Sequence, residues 1–300
     1  MKNNLSILER NHTDCVRGIS ALLIAIFHVL LECENMPRYI NLTGSVCVAA
    51  YLFLSGYGIH ESYKKIGLKH YWYKRFKRVI LPYTIFITVL IPFKPNNTFI
   101  SYALDITYIH STYWFIEFIV WNYLVYWIAQ RFFAKHLFAI FILVGIIGIN
   151  TLMQMEAEQV FSFIAGVFVS KHVDKVRLYN EKKLIVIAII CFLFGTFFLL
   201  LKEIPAIHAY KGTTTYNYIL LMIKLPMAIP LVLFPVIFPI VTKSKILYLC
   251  GISSLEIYLV HLALLNYLTI DYLHLFIYIL SCVILTYLFY QLNRLISKWI

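Results

Sequence analysis

Ten apolar runs, most near the length a helix needs to cross lipid, follow one another with short connections between them. Their approximate limits are residues 16–33, 43–61, 79–93, 112–130, 136–152, 158–171, 184–201, 216–241, 246–268 and 272–291. A bilayer core of about 30 Å takes roughly 20 residues of helix, and lipid leaves no partner for an open strand edge. The chain has 300 residues, 61% apolar and only 13% charged, about half the charged share of a soluble domain. The expected fold is therefore all-α, a polytopic transmembrane helix bundle of about ten spans. It is read as one integral membrane domain over residues 1–300, with no fused soluble domain. The first run lacks a small-x-small cleavage site and a second span follows closely, so it is expected to be retained.

The 26 Lys and Arg against 14 Asp and Glu give a net charge of +12. They gather in the connections: with ten spans, 21 fall on one side, 4 on the other, and Lys224 lies inside a run. The positive-inside rule then places both termini in the cytoplasm of a cell whose inner or plasma membrane holds the chain. No aromatic and basic module interrupts the runs, which argues against a nucleic-acid partner. The outer connections are short, so any chemistry belongs inside the bundle or at its mouths. The six cysteines show no CxxC spacing and read as small buried hydrophobes, Cys33 and Cys47 being the pair a disulfide could join. No metal is expected.

Within the first run, Arg17 and His28 are eleven residues apart, within about 20° of three full turns, so they share a helix face with a rise of about 16 Å. Arg17 would sit at the cytoplasmic mouth and His28 near mid-membrane. Ionisable groups so placed are functional suspects, although a lone histidine also serves as a helix-helix hydrogen-bond partner. Glu32 could hold the ring from the same face or be solvated. A second basic cluster, YKKIGLKHYWYKRFKRVILPY, follows the second run. Headgroup anchoring explains most of its lysines. Arg75 and Arg78, three residues apart before Pro82, are expected to share a face as two planar forks suited to phosphate.

The segment RGISALLIAIFH resembles the Arg-x10-His signature of the membrane acyltransferase-3 family, and RFKR its Arg-x-x-Arg element. YLFLSGYGI, STYWFIEFIVWNYL, FIAGVFV and CGISSLEIYLVH are similar to four further landmarks, in the family's order. The resemblance implies an integral membrane O-acyltransferase that moves an acyl group, usually acetyl, from cytosolic acyl-CoA to a hydroxyl of a cell-surface or lipid-linked glycan. Acetyl-CoA would be a co-substrate, and lipid and the glycan the partners. His28 is then the candidate base, with direct transfer and an acyl-histidine both open. Arg17, Arg75 and Arg78 are candidates for the CoA phosphates.

Glu117 is a second catalytic candidate, either orienting His28 or meeting sugar hydroxyls, with structural pairing as the alternative. Trp114, Tyr258 and His261 are acceptor candidates; Ser254, Tyr258 and His261 form a stripe at i, i+4 and i+7, which a packing ladder would also explain. Pro226, Pro230, Pro235 and Pro239 are expected to bend and break the eighth span into a cavity wall, where Lys224 pairs with a carboxylate. The glycines of SGYG read as close helix packing rather than a phosphate loop. A transporter or flippase for a lipid-linked sugar is the competing reading; the lack of an internal repeat weakens it.

Overall fold

The computed structural model describes residues 8–32, 40–93, 98–109, 111–265, 267–268 and 271–299, the side chains of 40 and 41 excepted. Cys33, half of the suggested disulfide, lies outside them, as do Arg38 and Lys94. Every regular element among the described residues is helical. The α-helices are α1 (Arg10–Leu31), α2 (Ile40–Ile66), α3 (Tyr71–Arg75), α4 (Leu81–Leu90), α5 (Phe99–Thr107), α6 (Trp114–Phe132), α7 (Leu137–Thr151) and α8 (Gln154–Ala157). They continue as α9 (Val160–Lys171), α10 (Val173–Arg177), α11 (Glu181–Lys202), α12 (Pro205–His208), α13 (Thr214–Ile237), α14 (Lys245–Ile252), α15 (Ser254–Leu265) and α16 (Tyr272–Trp299). A π-helical turn, Phe76–Ile80, joins α3 to α4.

Short polar residues set several starts by accepting orphan backbone N–H groups. Asn180 caps α11, Thr213 caps α13, Ser244 caps α14, and Thr98 forms a reciprocal box with Ser101 before α5. Asp271 accepts from the N–H groups of Leu273 and His274 at the start of α16. The backbone N–H and ring of His274 hold its carboxyl below the usual range.

Each of the ten apolar runs falls on helix, but among the described residues seven helices are long and apolar enough to cross a membrane, or eight if α14 and α15 form one bent span. The other two runs are α6, whose 19 residues are diluted by Trp, Tyr and Asn, and α9, whose 12 residues fall short of the bilayer core. The expected break at the proline-rich span falls at its last proline: α13 ends at Ile237 and Pro239 opens a 3-10 turn. Pro226, Pro230 and Pro235 sit inside a continuous α13, and the sharp bend, 76°, lies between α14 and α15 at Ser253. Half of α13's apolar window is buried, so neighbouring helices hold it despite the missing N–H groups.

The chain divides into two compact units, Met1–Lys64 with Phe138–Ser254, and Lys65–Leu137 with Leu255–Ile300. In the first, α11 runs along α13 and α14 along α1. Glycines set both close crossings made by α1 and α2. A Cβ on Gly18 would meet the Leu247 carbonyl at 2.2 Å, and one on Gly251 the Asp14 carbonyl at 2.0 Å. Likewise Gly56 would meet Phe163 O at 2.0 Å and Gly166 would meet Phe53 O at 1.9 Å. The SGYG expectation thus holds for Gly56. In the second unit the core is aromatic: Tyr113 and Phe115 pack edge-on against Tyr258, and Phe86 meets Phe289.

Candidate active site

Arg17 and His28 both lie on α1, which is uninterrupted between them. Asp14, Ala21 and Ile24 share their stripe and are buried, whereas Ile26, on the opposite side, is 53% exposed. The pair therefore occupies the packed face of α1 rather than its outer face. The Arg17 guanidinium is 3.4 Å from the buried Asp14 carboxylate and keeps part of its fork exposed. His28 is half-buried, with Nδ1 2.9 Å from the Ile24 carbonyl oxygen. A carbonyl can only accept, so Nδ1 carries a proton and the neutral ring keeps its lone pair on Nε2. Glu32 is the exposed C-cap of α1, and the Nδ1 side of the ring is turned to Ile24.

Arg75 and Arg78, in the second unit, do not share an environment, which corrects the two-fork expectation. Arg75 is buried, its guanidinium 4.7 Å from the Tyr71 ring centre and 5.8 Å from that of Tyr123. The Tyr71 hydroxyl donates to the Tyr123 carbonyl at 2.8 Å, fastening α3 to α6. Arg78 is exposed on the π-helical turn. A π turn takes in an extra residue, so side chains three apart no longer align, and such turns are frequent at functional sites.

Further along the second unit, Trp114 opens α6 and packs against Phe115 and Phe118. Glu117 Oε2 accepts the Ser111 N–H at 2.7 Å, a bond across the turn before α6 at the helix end where a carboxylate is favoured. Ser111 is a hub that sequence reading missed. Its Oγ lies 2.6 Å from the Tyr83 hydroxyl and 3.3 Å from Asp105 Oδ1, and accepts the Tyr113 N–H at 3.0 Å. A carboxylate only accepts, so Ser111 donates to Asp105 and Tyr83 donates to Ser111. Burial pushes the nearby Tyr108 phenol above its ordinary pKa, partly offset by the Thr84 hydroxyl.

On α15, Tyr258 lies between Tyr113 and Phe115, and its ring centre is 6.0 Å from that of His261. His261 is buried with Nδ1 2.7 Å from the Ile257 carbonyl, which gives it the same tautomer as His28. Ser254 bonds the Tyr51 hydroxyl within the first unit. Lys224 does pair with a carboxylate, the buried Glu158. Among the described residues no group of three His, Cys, Asp or Glu is placed to hold a metal ion.

The model of the acyltransferase-3 family, described as an acyltransferase domain, matches residues 11–291. The chain belongs to this family. Neither the curated proteins nor the solved structures gave a match. Family membership and the long apolar helices make the chain a membrane acyltransferase. The matched region of this acyltransferase takes in Arg17, His28, Arg75, Arg78, Trp114, Glu117, Tyr258 and His261.

Proposed function

We propose that the chain is an O-acyltransferase of the inner or plasma membrane. It takes an acyl group, acetyl first among them, from cytosolic acyl-CoA and delivers it to a hydroxyl of a cell-surface or lipid-linked glycan. The observation that carries this reading is His28 on the packed face of α1, with Nδ1–H committed to Ile24 and Arg17 three turns away. In the reaction the acceptor hydroxyl gives its proton to Nε2 of His28 while its oxygen attacks the thioester carbon. The C–S bond then breaks, and the CoA thiolate recovers the proton from the imidazolium, so atoms and charge balance. General-base help of this kind is worth roughly 10² to 10⁴ in rate.

Arg17 and the exposed Arg78 are assigned to the CoA phosphates, with the buried Arg75 holding the turn that presents Arg78. Trp114, Tyr258 and His261 are assigned to the acceptor, whose sugar faces suit aromatic rings. Glu117 fixes the turn before α6 through Ser111. The test is acetyl-CoA turnover by the purified chain in liposomes: His28→Ala that retains turnover removes the base. In cells, deletion should remove acetyl esters from surface glycans while polymer yield is preserved; loss of the polymer itself would support a flippase instead.

A further inference from the structure

Gly58 on α2 is unexplained by packing. Gly56, two residues earlier, meets the Phe163 backbone, but among the described residues a Cβ on Gly58 would find only Arg17 Nη2, at 3.8 Å. Glycine is a poorer helix former than alanine, so an open one inside α2 suits the approach of a group to the backbone there. The ground beside it is bordered by a second cation. The Arg177 guanidinium, at the end of α10, lies beside the hydroxyl of Tyr57, the residue next to Gly58. The same buried cluster contains Val16, Tyr57 and Val173, with Val176 packed against it, so the neighbours of Arg17, Gly58 and Arg177 are held together by one piece of core.

We infer that Arg17, beside the bare surface of Gly58, and Arg177, beside the hydroxyl of the adjacent Tyr57, together form a phosphate seat in the first unit. The carboxylates around it leave room for an anion. Asp14 is buried behind Arg17. Asp174 is 3.8 Å from Arg177 with its side chain 90% exposed, a pair that a phosphate can displace. Glu61, one turn on along α2, is already engaged by Lys64 and the Ser170 hydroxyl. Two guanidinium forks suit an anionic phosphate group, and its source is either CoA or a lipid headgroup. The CoA source rests on the donor assigned above.

The test is calorimetric titration of the full chain in phosphatidylcholine nanodiscs with CoA, and in detergent with a short-chain phosphatidylglycerol. Arg177→Gln should weaken the binding of the phosphate source about ten-fold. Asp174→Asn, at an exposed position, should tighten it, and Gly58→Leu should block it. A CoA affinity that falls in Arg177→Gln identifies the donor as the source. Wild-type chain that binds no CoA, yet binds phosphatidylglycerol through Arg177, keeps the seat and overturns the CoA donor. Arg177→Gln that changes neither titration overturns the seat, as does Asp174→Asn that weakens both.

Discussion

The Nδ1 atom of His28 lies 2.9 Å from the carbonyl oxygen of Ile24, one turn back on the same helix. Two asparagines make the equivalent bond: Asn122 Nδ2 donates to Phe118 O at 2.8 Å and Asn150 Nδ2 to Ile146 O at 2.6 Å. His28→Asn should therefore keep the bond to Ile24 while removing the basic Nε2. Turnover of acetyl-CoA is expected to fall by about 10² to 10⁴ with the melting temperature nearly unchanged. Retained turnover in this variant would show that His28 acts through the helix and not as a base.

Reciprocal glycines make the α2–α9 crossing a sharp test of packing. Gly56→Ala or Gly166→Ala would drive a methyl group into a backbone carbonyl, which cannot rotate away as a side chain could. Each should destabilise the chain by about 1 to 3 kcal/mol. One separation of the helices relieves both, so the double variant should lose less than the sum. Gly58→Ala, with its nearest neighbour at 3.8 Å, should melt no lower than wild type. Thermal melts in detergent read all four.

How much of this was legible in the sequence depends on the range of the interaction. The shared face of Arg17 and His28 follows from 3.6 residues per turn because α1 is regular between them. The same arithmetic fails for Arg75 and Arg78, since nothing in an apolar pattern announces a π turn. Proline is legible only in part: Pro239 marks the end of α13, Pro226, Pro230 and Pro235 lie within the helix, and the 76° bend at Ser253 comes without any proline to announce it. Partners far apart in sequence, such as Lys224 with Glu158, were foreseeable only as a requirement that the lysine be paired. The Ser111 hub was hidden because its partners, Tyr83, Asp105 and Glu117, stand on three different helices and meet the loop serine only once the chain is folded.

The separation of Arg75 from Arg78 predicts two different phenotypes from one motif. Arg75→Ala removes a cation from two tyrosine rings and should lower stability by about 1 to 2 kcal/mol. Arg75→Lys should recover little, because the ammonium lacks the planar face that stacks on the rings. Arg78→Ala, exposed, should leave the melt within about 0.5 kcal/mol of wild type and raise the acetyl-CoA KM about ten-fold. Melting curves and KM measured on the same preparations check the division; a KM effect confined to Arg75 would reverse the two roles.

Lys224 and Glu158 are both buried and bonded to each other, one on α13 and the other just before α9. Removing either charge strands its partner away from water, so Lys224→Met and Glu158→Gln should each cost about 3 to 5 kcal/mol. Replacing the pair with apolar residues of similar volume removes both desolvation penalties together. Lys224→Met with Glu158→Leu should therefore be more stable than either single variant and come close to wild type. A double variant as unstable as the singles would mean that the pair organises the surrounding helices through its hydrogen bonds. The melting temperatures of the three variants in detergent distinguish these outcomes.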